Sequence, residues 1–359
     1  MSRTMSVLPE MAGPVENDLA DAVERIAPGL ADELRGAHLL ITGGTGFLGS
    51  WLVDLLLRLE QRYTLGLCLT LLTRSASAVV QRRPDWLEAP GLGLIEGDVR
   101  HFSIGDARFT HLVHAATDVS RIRQSPLELA DSIIGGSRHV LDIAACGGVR
   151  RYLYFSSGAV LGSLDRTGSV DENLRLAPPV DAADAYPNAK RYAEHLHLLA
   201  AREFGFELVI ARGFAFAGPR MPLDKFAIGN FICDAARGHA PRLNSAGLAE
   251  RSYLYAADAA VWLLSLLAYG RTGQIYNVGS DQAVRLRDLA GRVAEILGSP
   301  APLIPDASED ETASSYVPDV SRARDELGLV PEVGLDEIIR RTTGWAADAG
   351  LLGAQETWR

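Results

Sequence analysis

Lysine is nearly absent from this chain. Of its 35 basic residues only Lys190 and Lys225 are lysines; the rest are arginine. Positive charge is scarce as a whole, and 45 Asp and Glu leave a net charge of −10, which argues against general nucleic-acid binding. Long apolar runs are also missing, so no segment reads as a membrane span. Cysteine is sparse: Cys68, Cys146 and Cys233 stand singly among apolar residues. They form neither a disulfide framework nor a paired-cysteine metal motif, and they read as reduced core residues of a cytoplasmic protein. The opening Met1-Ser2-Arg3-Thr4-Met5 lacks the apolar core of a secretory signal. His195 and His197, two apart on a helix, do not share a face, and His111 and His114 fall on opposite faces of a short strand. No catalytic metal is expected.

What is present suits a large globular fold. The 359 residues are 47% hydrophobic and 22% charged, enough for one large or two closely joined domains. Residues 1 to about 14 are expected to be disordered. From Val15 to Arg35, Leu19, Val23, Ile26, Leu30 and Leu34 recur at helical spacing, interrupted by Pro28 and Gly29. This stretch reads as a surface helix packed on its own domain, with a docking helix as the alternative. Strands are expected at His38–Thr42, Leu65–Thr73, Leu92–Ile95, His111–Ala115, Arg151–Ser156 and Glu207–Ala211. Helices fit between them at Phe47–Glu60, Pro126–Gly147 and Asn188–Glu203. This alternation predicts an α/β fold, a doubly wound parallel sheet of Rossmann type. After Gly218-Pro219 the alternation fades into a smaller C-terminal lobe, with helices at Ile228–Arg237 and Ala256–Leu267 and a last strand near Ile275–Val278. The tail is expected to be helical over Asp319–Gly328 and Leu335–Ala347. The expected plan is an extension (1–36), a dinucleotide-binding domain (37–213), a substrate lobe (214–345) interleaved with the last sheet strands at about 252–280, and a tail (346–359).

The stretch from Leu39 to Gly49 organises the chain. An apolar strand stops at Thr42, glycines fall at 43, 46 and 49, and a helical pattern begins near Phe47. In that context Gly43 allows a tight turn, Gly46 lets a pyrophosphate approach, and Gly49 lets the helix pack closely. The amides at the helix start would then face the phosphate charge. Gly43, Thr45, Gly46, Phe47, Leu48 and Gly49 are therefore candidate cofactor contacts. At the end of the second strand stand Thr73, Arg74 and Ser75 rather than an acidic residue, which favours NADP mildly over NAD. Tyr186 and Lys190 lie four apart on one face of a helix start. An ammonium beside a phenol lowers its pKa, and the phenolate can then exchange a proton with a substrate hydroxyl. Ser157 ends a strand of the sheet, where it can hydrogen-bond the same oxygen.

With these three pieces the chain resembles the extended short-chain dehydrogenase/reductase family, and within it the nucleotide-sugar epimerases and dehydratases. Further segments carry the resemblance over about residues 37–345: Gly97-Asp98-Val99, His114-Ala115-Ala116, Arg212 with Gly218-Pro219, Arg251 to Asp258, and Asp319 to Ala323 followed by Glu326-Leu327-Gly328. It implies a catalytic trio of Ser157, Tyr186 and Lys190, with Lys190 also holding the nicotinamide ribose. It implies that Asp98 meets the adenine amino group, that Val99, Ala115 and Ala116 line the cofactor, and that Arg251 holds a sugar-nucleotide diphosphate. Thr117, Ser157, Asn230 and Arg251 are the expected substrate contacts. The implied chemistry is hydride transfer at a sugar carbon, commonly C4. The implied assembly is a homodimer joined by a four-helix bundle, with Leu196, Leu199 and Ala200 either in its seam or facing the chain's own sheet.

Departures narrow the reaction. Dehydratases of this family carry an Asp-Glu pair just after the trio's Ser or Thr, and here Gly158-Ala159 stand there. Val160-Leu161-Gly162 lacks a usual tyrosine, Ala215 replaces a common asparagine, and Asp306–Val317 contains no arginine. A C4 epimerase is favoured. An NADPH-dependent ketosugar reductase and a 4,6-dehydratase follow, with a dinucleotide-sensing scaffold as the non-enzymatic alternative.

Overall fold

The structure, a computed structural model, describes residues 13–26, 28–117, 125–162, 168–307 and 314–352. The expectation of disorder up to residue 12, the tail beyond residue 352 and residues 308–313 of the arginine-free segment lie outside the described residues. Seven strands form the main sheet: β1 (His38–Thr42), β2 (Cys68–Thr73), β3 (Leu92–Glu96), β4 (His111–His114), β5 (Arg151–Ser157), β6 (Glu207–Gly213) and β7 (Gln274–Val278). Their order is β7-β6-β5-β4-β1-β2-β3 and every pairing is parallel. The order reverses between β1 and β4, where Thr42 lies in register with His114. A ligand crevice is expected above that point.

The longer helices are α1 (Pro14–Arg25), α2 (Phe47–Tyr63), α3 (Pro126–Gly147), α4 (Ala185–Phe204), α5 (Ala227–Ala236), α6 (Ala256–Tyr269), α7 (Leu286–Leu297) and α8 (Leu335–Asp348). Parallel strands are covered on both faces, so their side chains alternate between two apolar layers. Leu39 and Ile41 join the layer under α2 and α6 with Trp51, Leu55 and Leu263. Leu40 joins Leu112, Tyr152 and Leu208 in the layer under α3 and α4. The α3 helix begins on a capping box of Ser125 and Glu128 with Pro126 in its first turn, and it ends on left-handed Gly148. These signals explain why its bounds were legible.

Besides the cysteines, which are not core residues (Cys146 is exposed, Cys68 and Cys233 only half-buried), two expectations need correction. First, α4 begins at Ala185 rather than Asn188, which takes Tyr186 into the first turn. Second, a helix over Leu286–Leu297 was not expected. Leu289, Ala290, Val293 and Ala294 are buried along it at helical spacing. Gly291 in its middle and the loop-rich surroundings hid that pattern.

The N-terminal α1 packs on its own chain. Leu19, Ala22 and Val23 are buried. Buried Asp18 accepts hydrogen bonds from the Tyr255 hydroxyl and the Arg341 guanidinium. Arg25 pairs with Asp258, whose other oxygen accepts the amides of Glu332 and Val333 at 3.0 and 3.1 Å. The apolar face that a docking helix would offer is thus used internally. No helix among the described residues is long and apolar enough to cross a membrane.

Candidate active site

The glycine turn lies at the carboxyl end of β1. Gly43 has φ +78°, and a Cβ there would stand 2.6 Å from the Ala115 carbonyl and 2.7 Å from the Ala116 nitrogen. The Thr42 hydroxyl accepts from that same Ala116 amide at 3.3 Å. The turn and the segment after β4 are therefore held in backbone contact, which only glycine at 43 permits. A Cβ on Gly49 would lie 2.1 Å from the Gly43 carbonyl oxygen. Gly49 thus packs the helix on the turn itself rather than on the strand. Gly46 caps α2 with no side chain on the amides. Bare amides at a helix start, in a cradle that a Cβ would fill, suit a pyrophosphate. Gly49→Ala is expected to cost about 1–3 kcal/mol, because backbone must move to admit the methyl. Calorimetry should also show NAD binding lost, and a variant with native melting and native NAD affinity would overturn this account.

The remaining expected cofactor contacts surround the turn unevenly. Leu48 is buried, and Phe47 packs against the core. Thr45 is half-buried and Arg74 exposed. The Thr73 hydroxyl donates to the Ser75 carbonyl at 3.2 Å. The Ser75 hydroxyl caps the next helix by accepting from Ala78 N at 3.2 Å. The Glu96 carboxylate accepts from Ala76 N at 2.7 Å beside the same stretch. The serine is thus occupied as a cap and the Glu96 charge stands beside it, so this stretch lends the mild NADP preference no support. Both Asp98 oxygens accept from the Arg100 guanidinium, at 2.9 and 2.8 Å. That pair holds the Asp98 carboxyl well below the usual carboxylate range. Val99 packs against Gly136 of α3. The Thr117 hydroxyl donates to the Ala116 carbonyl at 2.8 Å.

Ser157, Tyr186 and Lys190 come together where β5 ends against α4. The Ser157 side chain accepts from Ala159 N at 3.2 Å, and its hydroxyl is near enough to favour the ionised form of the Tyr186 phenol. Lys190 donates from Nζ to the Phe155 carbonyl at 2.8 Å and lies 5.0 Å from the Tyr154 ring centre. One turn further on, Glu194 receives the Arg212 guanidinium on both oxygens, at 2.9 and 2.7 Å, and the Ser156 hydroxyl at 2.7 Å. Tyr186, Lys190 and Glu194 thus form one stripe of α4. Burial lowers Lys190 to about 7, with Glu194 opposing the shift. Burial also pushes the Tyr186 phenol up, with the Ser157 hydroxyl partly offsetting it. The expected lowering of the phenol by Lys190 is therefore not seen. The lysine is itself so desolvated that its charge is only partly retained near neutral pH.

A comparison with known families and structures bears on this arrangement. The model of the NAD dependent epimerase/dehydratase family matches residues 39–279. This chain belongs to that family. It is 29% identical over 303 residues to UDP-glucuronic acid decarboxylase 6 of Arabidopsis thaliana, covering 84% of this chain and 86% of that protein. It is 28% identical over 319 residues to a dTDP-glucose 4,6-dehydratase of Streptomyces antibioticus, covering 87% and 92%. Among solved structures, a variant UDP-glucuronic acid 4-epimerase from Bacillus cereus, in complex with UDP-4-deoxy-4-fluoro-glucuronic acid and NAD, superposes with a TM-score of 0.73. That match has 19% identity and covers 87% of this chain and 99% of that one. The chain is thus an extended short-chain dehydrogenase/reductase, an enzyme of the nucleotide-sugar group.

Against the family pattern, the place of the missing acid pair is filled. A Cβ on Gly158 would stand 2.6 Å from the Phe214 ring. That ring packs on Tyr316, with centroids 4.8 Å apart. Tyr316 was missed by sequence reasoning. It sits on a two-residue strand, Ser315–Tyr316, paired in register with Glu250-Arg251. Arg251 donates to the Glu250 carbonyl at 2.7 Å, and its charge bears on the Tyr316 phenol. Arg251 therefore borders the trio through Tyr316. Asn230 is exposed on α5, and among the described residues no hydrogen bond ties it to the trio.

Beneath the trio lies a stack of aromatic and imidazole rings. His197 is 3.9 Å from the Tyr154 ring and 5.8 Å from His114. Its Nε2 meets the Tyr152 hydroxyl at 2.9 Å, while His114 Nδ1 meets the Thr42 hydroxyl at 2.7 Å. Burial lowers His197 to about 3, His111 to about 4, and His114 well below its usual value. These bases are depressed on folding, so the unfolded chain binds more protons below pH ~6.5. Their contribution is fully present above that pH and is lost as pH falls toward the folded values. Urea unfolding is expected to show stability dropping by up to about 1.4 kcal/mol per pH unit for each histidine between about pH 6 and pH 4. A flat profile across that window would remove the histidines from the account.

Proposed function

We propose that the enzyme is an NAD-dependent epimerase acting at C4 of a nucleotide-activated sugar. The observation that carries this reading is the make-up of the site. Ser157, Tyr186 and Lys190 supply one proton-transfer centre, and the position after Ser157 carries a glycine covered by the Phe214 ring where an acid would otherwise stand. Elimination of a C6 hydroxyl needs an acid and a base at neighbouring carbons, so 4,6-dehydration is disfavoured. Epimerisation needs the same proton removed and returned, which one phenol can do.

The turn from Gly43 to Gly49 would hold the pyrophosphate, Asp98 the adenine, and Lys190 the nicotinamide ribose. When bound, NAD supplies a hydride acceptor and a positive charge beside the phenol. Tyr186 takes the proton of the C4 hydroxyl as that carbon is oxidised, then returns it to the oxygen after hydride has come back to the opposite face. Ser157 steadies the oxygen, and Arg251 would hold the diphosphate. NAD rather than NADP is our reading, because Ser75 is spent as a cap and Glu96 stands close by.

Mass spectrometry of dinucleotide released on denaturing the fresh protein, followed by NMR of UDP-glucose and UDP-glucuronic acid incubated with it, tests the proposal. Retained NAD and a C4 epimer are expected. Loss of carbon dioxide, a 6-deoxy-4-keto sugar, or turnover only with added NADPH would each overturn the epimerase reading. We also propose a homodimer through α3 and α4. Tyr192 and Leu199 are 49% and 48% exposed on that face, whereas Ala200 is buried in the chain's own core and cannot join a seam. Sedimentation showing only monomer at micromolar concentration would defeat it.

A further inference from the structure

We propose that Tyr316, delivered from the substrate lobe, is a positioning residue that selects whether Ser157 donates its hydroxyl proton outward, toward Tyr186. This rests on reading Ser157, Tyr186 and Lys190 as the proton-transfer centre.

The argument is a count of lone pairs. A serine hydroxyl has one proton and two acceptor sites. One site on Ser157 is taken by the Ala159 amide at 3.2 Å. The Tyr316 hydroxyl lies 3.4 Å from the same oxygen and equally 3.4 Å from the Gly213 carbonyl, to which it can donate instead. When the Tyr316 proton is directed to Ser157, both acceptor sites are filled. The serine proton then has only the outward direction left, toward Tyr186 and the oxygen it serves. When the Tyr316 proton goes to Gly213, Ser157 is free to donate back to Tyr316 and is lost to the substrate. Tyr316 is thus a two-position selector for Ser157.

Its surroundings favour the role. The ring packs on Phe214, which fixes the hydroxyl at the strand end. Burial holds the phenol well above its usual range, so it keeps its proton and serves as a donor at any working pH. The backbone of Tyr316 is in register with Arg251. Movement of that short strand when a diphosphate reaches Arg251 would be transmitted directly to Ser157.

The test uses the full-length protein with NAD, and UDP-glucose and UDP-glucuronic acid as probes. Tyr316→Phe keeps the ring and its packing and removes only the hydroxyl. We expect kcat to fall about three- to tenfold, the net worth of one hydrogen bond, with KM nearly unchanged. We expect the double variant Tyr316→Phe/Ser157→Ala to be no slower than Ser157→Ala alone, since the tyrosine acts through the serine. Wild-type kcat in Tyr316→Phe, or losses that simply multiply, would overturn the proposal. Tyr186→Phe serves as the control: if it turns over normally, the reading of the centre fails instead. A crystal structure of Tyr316→Phe gives a readout independent of turnover. Ser157 spread over several rotamers is expected, and a single native rotamer counts against the selector.

Discussion

Tyr186→Phe is expected to lower turnover by about 10²–10⁴-fold, the range spanned by a lost general acid–base group. The substitution keeps the ring, which packs against the layer that holds Ala189 and Ala193, so the fold should not change. It removes the phenol oxygen on which the Ser157 hydroxyl acts. NAD affinity should be retained, because the glycine turn and Lys190 are untouched. The decisive comparison is kcat against NAD affinity in the same preparation. Loss of both would mean a structural role for the phenol, and loss of neither would mean that the proton is carried elsewhere. The lowered value of Lys190 adds a signature. Activity of the wild type should change across about pH 7, where the lysine changes charge, and the change should vanish in the Tyr186 variant.

Glu194→Ala is expected to cost about 3–5 kcal/mol of stability, the largest single loss we foresee outside the apolar core. Glu194 and Arg212 are only 6% and 7% exposed. Removing the carboxylate strands a buried guanidinium and leaves the Ser156 hydroxyl without its acceptor. By contrast, Arg35–Asp32 is an exposed i,i+3 pair, and breaking it should cost at most about 0.5 kcal/mol. Urea titration of the two variants side by side checks the contrast. A double variant, Glu194→Met with Arg212→Leu, should recover most of the loss, since the penalty comes from the uncompensated charge rather than from the bond. If Glu194→Ala unfolds at the native midpoint, the pair is not buried in solution as it is here.

The sheet was legible because its signals are local. Leu39-Leu40-Ile41 ends in a glycine turn, and Ser125-Pro126 with Glu128 announces a helix; each is read within a few residues. The trio was legible for the same reason, since Tyr186 and Lys190 share one helix. What escaped depends on contacts between distant segments. Nothing near Tyr316 in sequence says that a two-residue strand will carry it to Ser157. Nothing near Gly158 says that Phe214 will lie over it. Ser75 looks like a phosphate ligand until a helix is seen to begin on it. The charge of Lys190 is weakened by the depth of the layer around it, which a residue list does not contain. The helix over Leu286–Leu297 is a different case: its periodicity was present, and the glycine at 291 outweighed it.

The arrangement of α1 has a consequence for the order in which the fold is completed. The helix has a near neighbour in α2, where Arg62 pairs with Glu24, but its polar anchors are distant. Tyr255 follows Asp18 by 237 residues, Asp258 follows Arg25 by 233, and Arg341 follows Asp18 by 323. Packing on α2 closes a short loop, whereas meeting Tyr255 and Arg341 closes loops spanning most of the described chain, at a greater cost in chain entropy. Until α8 is in place, the charge on Asp18 lacks the Arg341 guanidinium. The helix is thus a latch with two stages, hung early on α2 and fastened only by α8.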